Sequence, residues 1–182
     1  MPCAACGKGR KKNPVTAPIE LLDMPDPAIW GPALWTILHV AAERAGQNTL
    51  VPLRADEVRE LEMLIKSFPV TLPCAICQTH AGQYLATHRF NWTGKSGPEA
   101  RNIISRYLYD FHDHVNKNKA TPTVSPPYEE IQAKYTAIAS LNEHVNIVYR
   151  ELMRAINFNI VKHDAAQKFR RHLSSLRGFI GI

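Results

Sequence analysis

The chain has 182 residues, which is enough for one well-buried domain and too few for two ordinary ones. Apolar residues make up 45% and charged residues 21%, so the composition is globular and excludes a wholly disordered or collagen-like chain. No run of 18 apolar residues is present, which predicts that no segment spans a membrane. The basic start lacks the apolar segment of a secretory signal, and we expect a cytoplasmic location.

Basic residues exceed acidic residues by 22 to 16, which gives a formal net charge of +6. Such an excess can indicate a nucleic-acid-binding protein. The basic residues are scattered, however, with runs only at 8–12 and 168–171. The charge is therefore interpreted as a solubility feature or a weak anion surface, and we expect no specific nucleic-acid partner.

The start of the chain predicts a tail followed by a helix. Residues 1–25 are rich in Lys, Gly and Pro, and we expect a flexible tail there. Apolar residues recur at helical spacing from Ile29 to about Ala45. Pro27 and Pro32 are interpreted as first-turn residues of that helix, where a missing backbone N–H costs little.

Two more helices are predicted before the middle of the chain. One is expected to follow Asp56, which is a good N-cap residue. The apolar residues that form its buried stripe are Val58, Leu61, Ile65 and Phe68. The next should run from Cys74 to Arg89, after two prolines that interrupt the chain.

Helical spacing continues to the end of the chain. A fourth helix is expected from near Pro98, followed by a Pro-rich linker at about residues 121–127. Apolar residues from Ile131 to Ile156 predict one long helix, and a short basic helix should follow it.

These patterns predict an all-α protein, because no segment alternates with period two over six residues. We expect a four-helix bundle with a C-terminal helical extension. The predicted units are the tail at 1–25, the bundle at 26–122 and the extension at 123–182.

The four cysteines form two CxxC pairs, Cys3/Cys6 and Cys74/Cys77. Zinc ribbons place their CxxC pairs roughly 15 to 20 residues apart, whereas 67 residues separate Cys6 from Cys74. Structural disulfides at this spacing would close very small loops and constrain the unfolded chain little. Redox chemistry is therefore favoured, and a zinc-binding or basic nucleic-acid-binding helical protein is the alternative.

Two features add to the redox interpretation. Cys74 is predicted to open a helix, whose unpaired N–H groups and partial positive charge stabilise a thiolate. Trp35 and His39 share one face of the first helix, and His112 and Asn116 repeat the same spacing on the fourth. Such pairs are usually structural, but together with a CxxC they indicate a planar cofactor with polar edges.

Three segments resemble motifs of the Erv/ALR sulfhydryl oxidases. They are WGPALWTILH at 30–39, FPVTLPCAICQTH at 68–80 and HDHVN at 112–116. The resemblance covers about residues 29–122, in the family's order. It implies a four-helix bundle that holds FAD at its mouth and oxidises thiols of protein substrates to disulfides, with O₂ reduced to H₂O₂. It also implies a homodimer without a metal site.

The resemblance implies roles for individual residues. Cys74 would be the sulfur that incoming thiols attack, and Cys77 would be the sulfur next to the flavin. The residues implied in cofactor binding are Trp30, Gly31, Trp35, His39, Cys77, His112, Val115, Asn116 and Lys119. Many such oxidases carry a second CxxC on a flexible segment that relays electrons, and Cys3/Cys6 has that spacing. Accidental or metal-binding cysteines are the alternative there.

Several positions depart from the family pattern. Asp113 stands where the family usually has Asn. Tyr109 stands where it often has Cys, so the family's C-terminal structural disulfide cannot form. Thr121 replaces a usual Lys, so Lys119 or Lys117 is expected to serve the FAD phosphates. The missing structural disulfide, the atypical C-terminal extension and the lack of a targeting signal resemble the members encoded by large DNA viruses.

Overall fold

The structure is a computed structural model that describes residues 24–181. The helices are α1 Pro27–Arg44, α2 Val51–Lys66, α3 Phe68–Thr71, α4 Ala75–Thr87, α5 Gly97–Asn118, α6 Tyr128–Thr136, α7 Asn142–Asn157 and α8 His163–Ile180. The described range contains no β-strand, which confirms the predicted all-α class. None of its helices is both long and apolar enough to cross a lipid bilayer.

Helix α1 lies at the centre of the fold. It begins after Asp26, whose carboxylate accepts a hydrogen bond from the backbone N–H of Ala28 at 2.8 Å. Its side chains are buried on several faces, with Ile37, Val40 and Ala41 fully inaccessible to solvent. The helix packs against α5, α6 and α7, so it can present side chains to each of them.

The C-terminal helices share the core of the preceding helices. Helix α7 packs against α1, and α8 packs against α2 and α3. Leu152 of α7 and Leu173 of α8 are fully buried in this core. The boundaries at 26–122 and 123–182 and the four-helix arrangement stay predictions, but the C-terminal helices are packed onto the bundle rather than set apart from it.

The start of α2 and the position of Pro32 differ from the sequence predictions. Helix α2 begins at Val51 and not after Asp56, because Pro52 occupies its first turn, where its ring favours the helical backbone. Pro32 lies inside α1 and not in its first turn. The proline leaves the carbonyl of Ala28 without its usual helical donor. Ala28 is exposed, so water can satisfy that carbonyl.

The long helix predicted from Ile131 to Ile156 is wrong, because it is divided into α6 and α7. The guanidinium of Arg44 donates to the carbonyl oxygen of Ile138 at 2.7 Å, which satisfies a backbone group left open by the break. Leu141 then enters the core and is fully buried. The helix expected to be short, α8, has 18 residues.

Candidate functional site

Cys74 and Cys77 form a disulfide at the start of α4, with their Cα atoms 5.2 Å apart. Cys74 is the N-cap of the helix, and its sulfur accepts a hydrogen bond from the backbone N–H of Cys77 at 3.1 Å. The backbone N–H of Cys74 donates to the carbonyl oxygen of Leu72 at 2.7 Å. The helix start predicted at this CxxC is therefore present, and the N–H of Cys77 points towards the sulfur of Cys74.

The electrostatics of the helix start favour a thiolate at Cys74. A free N–H and the positive end of the helix dipole both stabilise negative charge on sulfur. Both cysteines are half-buried, whereas the neighbouring Ala75 and Ile76 are exposed. The disulfide therefore lies at the surface, where a thiol of another molecule can approach it.

A second group of residues, the ring cluster of Trp35, His39, His112 and Tyr135, joins α1, α5 and α6. The rings of Trp35 and His112 stack with their centroids 4.1 Å apart. Nε2 of His39 lies 3.1 Å from Nδ1 of His112, and the ring of His39 stacks on Tyr135 at 4.6 Å. The structure thus brings together the Trp and His residues that the sequence singled out on two separate helices.

Both histidines of the ring cluster are neutral at pH 7. Burial lowers the pKa of His39 to about 3, and the neighbouring His112 and Lys134 act in the same direction. Burial also lowers the pKa of His112 to about 4, with further lowering by Lys119 and Lys134. Because neither ring is charged, one nitrogen of the pair donates and the other accepts.

Aromatic contacts connect the ring cluster to the helix that carries the disulfide. Tyr84 of α4 stacks on Phe111 of α5 with ring centroids 4.3 Å apart. Phe111 in turn meets Trp35 edge-on at 5.4 Å. Sequence reasoning did not assign Tyr84 to the site, although it lies seven residues after Cys77, which places the two on one side of α4.

Polar groups line the edge of the ring cluster near the end of α5. The amide nitrogen of Asn116 donates to the hydroxyl of Ser125 at 3.0 Å, and Nζ of Lys119 donates to the amide oxygen of Asn116 at 3.4 Å. Lys117 instead pairs with Asp113 at 2.5 Å, and this hydrogen bond lowers the pKa of that carboxyl. Of the two lysines left open by the sequence, Lys119 is therefore the one beside Asn116.

Lys134 is a site residue that sequence reasoning missed. Its ammonium lies 5.1 Å from the ring of Tyr135, and it lowers the pKa of both histidines of the ring cluster. Lys119 and Lys134 therefore both place positive charge near His112. Lys134 escaped notice because α6 lies beyond the last recognised motif.

The start of α1 provides a space and a hydrogen-bond donor. A Cβ added at Gly31 would meet no atom within 4 Å, so the helix surface there is open to a neighbouring group. Trp30 is only 5% exposed, and within residues 24–181 its indole N–H has no hydrogen-bond acceptor. Val115 is half-buried and packs against the core. An open surface, an orphaned donor, stacked rings and two lysines fit a flat ligand that carries acceptors and negative charge.

An aromatic contact holds the segment between α5 and α6 in place. The hydroxyl of Tyr109 donates to the carbonyl oxygen of Pro126 at 2.9 Å. The ring of Tyr109 meets Tyr128 edge-on at 5.5 Å, and the guanidinium of Arg106 lies over both rings. These contacts fix the segment that brings Ser125 to the site. Tyr109, which makes them, stands at the position where the resembling family often has a cysteine.

Cys3 and Cys6 lie outside the described residues. The structure therefore says nothing about their distance from the disulfide at Cys74. Their role as an electron relay stays a prediction from the sequence.

Comparison with known proteins identifies a family and two viral relatives. A family model described as the Erv1 / Alr family matches this range, which contains α2 to α6 and most of α1. A protein of Invertebrate iridescent virus 3, named as an FAD-linked sulfhydryl oxidase, is 36% identical over 100 residues. A protein of Invertebrate iridescent virus 6 with the same description is 31% identical over 103 residues. No solved structure matches the chain.

The matches cover different shares of the chains. The first alignment spans 55% of this chain and 62% of the relative, which is less than two thirds of that protein. The second spans 53% of this chain and 85% of the relative. Both relatives come from large DNA viruses, which confirms the predicted likeness to members encoded by such viruses.

Proposed function

The chain belongs to the Erv1/Alr family, and on this premise we propose that it is an FAD-dependent thiol oxidase. It would join two thiols of a protein substrate into a disulfide and release two protons and two electrons, which reduce O₂ to H₂O₂. The observation that carries this function is the disulfide at the start of α4, the helix that ring contacts through Tyr84 and Phe111 connect to Trp35. The names of the two viral relatives support the same activity.

The residues at the ring cluster fit FAD. When bound, FAD would accept two electrons from a dithiol and pass them to O₂. The rings of Trp35 and His112 would stack on a flat part of the cofactor, and Lys119 and Lys134 would neutralise its phosphates. The open surface beside Gly31 supports close approach of such a group.

The two remaining polar groups would orient the cofactor. Asn116 offers an amide at the same edge as Lys119. Trp30 offers an indole N–H that otherwise stays unpaired, and a buried donor without a partner is costly. Trp30 would therefore gain a hydrogen bond on binding, which favours a cofactor that carries acceptors.

The cysteines would have distinct roles in thiol exchange. A substrate thiolate would attack the sulfur of Cys74, so that the bond between Cys74 and Cys77 breaks and Cys77 leaves as a thiolate. The second substrate thiolate would then attack the mixed disulfide and leave Cys74 reduced. The family resemblance assigns the attacked sulfur to Cys74. The N–H of Cys77 then stabilises Cys74 in the second step, in which Cys74 leaves the mixed disulfide as a thiolate.

A direct test separates this function from its alternative. Purified protein should be yellow, with flavin absorbance in proportion to the chain, and should consume O₂ when supplied with dithiothreitol. A zinc-binding or nucleic-acid-binding helical protein would be colourless and inactive in this assay. The bond between Cys74 and Cys77 supports the oxidase, because a zinc site would need both sulfurs as free ligands.

We further propose that the protein acts as a homodimer in the host cytoplasm or in the virion. The viral origin of the two relatives supports this location. Leu50 and Val51, at the start of α2, are 62% and 64% exposed and offer apolar contacts for a second copy. Light scattering of the purified protein should give twice the mass of one chain, and the mass of a single chain would refute the dimer.

A further inference from the structure

The side chain of Gln78 connects the disulfide turn to the C-terminal part of the chain. Its amide nitrogen donates to the carbonyl oxygen of Leu72 at 2.9 Å and to that of Ile160 at 3.2 Å. Leu72 precedes the disulfide by two residues, whereas Ile160 lies between α7 and α8, outside the region matched to the family. One amide therefore joins two segments that are 88 residues apart in sequence.

The carbonyl group of Ile160 is held in place by the end of α7. Asn159 adopts a left-handed backbone conformation with φ of 56°. The N–H of Ile160 donates to the carbonyl oxygen of Ala155 at 2.9 Å, and the N–H of Asn159 donates to that of Ile156 at 2.9 Å. This pair of hydrogen bonds is the Schellman arrangement that ends many helices, and it gives the turn a defined shape.

The carbonyl group of Leu72 lies at the disulfide itself. It accepts the backbone N–H of Cys74 at 2.7 Å as well as the amide of Gln78. The backbone N–H of Gln78 also donates to the carbonyl oxygen of Cys74 at 2.9 Å. The side chain of Gln78 therefore holds the same carbonyl group that accepts the N–H of Cys74, so a change in this side chain acts on the position of Cys74 through Leu72.

We propose that the turn at 158–161, through Gln78, clamps the disulfide turn and favours the closed disulfide over the dithiol. A fixed turn keeps the sulfur of Cys74 close to that of Cys77, which raises the effective concentration of one thiol at the other. Gln78 is then a positioning residue, and the C-terminal helices contribute to the redox centre. Treating Cys74 and Cys77 as that centre rests on the proposed function.

The test compares Gln78→Met, which keeps the length of the side chain but removes both donors, with Gln83→Met on the exposed side of α4. The intact flavin-loaded protein is equilibrated without oxygen in mixtures of reduced and oxidised dithiothreitol. Two electrons and two protons pass from the dithiol to Cys74 and Cys77 while dithiothreitol closes into its cyclic disulfide. Alkylation and peptide mapping then give the reduced fraction at this pair alone.

Gln78→Met should shift the equilibrium towards the dithiol by about fivefold, as expected for the loss of a hydrogen bond. Gln83→Met should match the wild type. An unchanged equilibrium in Gln78→Met would overturn the clamp. The redox equilibrium is measured without turnover, so the two failures can be distinguished. Failure of the clamp would appear as an unchanged equilibrium, whereas failure of the proposed oxidase function would appear as absent flavin or absent O₂ consumption.

A double-mutant cycle tests whether the clamp passes through the C-terminal turn. Asn159→Ala strains the left-handed position before Ile160, whereas Asn159→Gly keeps that conformation without strain. Asn159→Ala should shift the redox equilibrium in the same direction as Gln78→Met. The double variant should show a shift little larger than that of Gln78→Met alone. Asn159→Gly should behave as the wild type. Independent, additive shifts would overturn the role of the C-terminal turn.

Discussion

Nε2 of His39 lies 3.1 Å from Nδ1 of His112, although the two histidines are 73 positions apart in sequence. The contact joins α1 to α5, and each imidazole carries a stacked ring, Trp35 on His112 and Tyr135 on His39. Burial holds both imidazoles neutral at pH 7. The pair is therefore both a structural joint and the centre of the proposed cofactor site.

The neutral pair predicts a loss of stability in mild acid. The folded-state pKa of His39 is about 3 against an ordinary value of 6.5, so the unfolded chain binds the proton first. Stability should therefore fall as the pH drops below 6.5. For His39 alone the loss by about pH 5 is at most roughly 2 kcal/mol. Urea unfolding should show a smaller loss in His39→Gln, and an equal loss in both proteins would contradict the neutral pair.

Loss of a ring should weaken cofactor binding and stability together. Trp35→Ala removes the ring that stacks on His112, and His112→Ala removes its partner. Because a ligand that binds only the folded state stabilises it by mass action, both variants should show less bound flavin and a lower Tm. Full flavin occupancy with an unchanged Tm in both variants would show that these residues are ordinary core residues and do not bind the cofactor.

The lysines provide a matched comparison. Lys119→Gln and Lys134→Gln remove the two positive charges that act on His112, so each should release FAD more readily. Lys117→Gln is the control, because Lys117 pairs with Asp113. Flavin retained after gel filtration at rising salt concentration measures the effect. Equal retention in all three variants would show that phosphates are not bound by these lysines.

The N-terminal cysteines should matter only for large substrates. Replacing Cys3 and Cys6 by serine should slow oxidation of a folded protein dithiol much more than oxidation of dithiothreitol, which can reach Cys74 directly. The ratio of the two rates in wild type and double variant is the measurement. Equal rates for wild type and double variant on several protein substrates would contradict the relay. Cys74 and Cys77 would then accept electrons directly from the substrate.

Local patterns predicted the parts of the molecule that local interactions determine. The helix start at Cys74 followed from a proline and from the spacing of its cysteines. The shared face of Trp35 and His39 followed from helical periodicity. The all-α class followed likewise, because every apolar stripe had helical spacing.

The rest depends on contacts between distant segments. The break between α6 and α7 is stabilised by Arg44, which lies 94 residues before Ile138 and gives no local signal. Lys134 and Tyr135 join the site only because α6 packs beside α1. No spacing rule within the sequence could have placed those two residues next to His39.

The most direct test of the central assignment is O₂ consumption by two single variants, Cys74→Ser and Cys77→Ser, with dithiothreitol as the electron donor. Both should lose turnover, because neither can close the disulfide that receives electrons from the donor. Both should still bind FAD, and Cys74→Ser should gain a long-wavelength absorbance band from the Cys77 thiolate beside the flavin. Full oxidase activity in either variant would contradict the assignment of Cys74 and Cys77 as the redox centre.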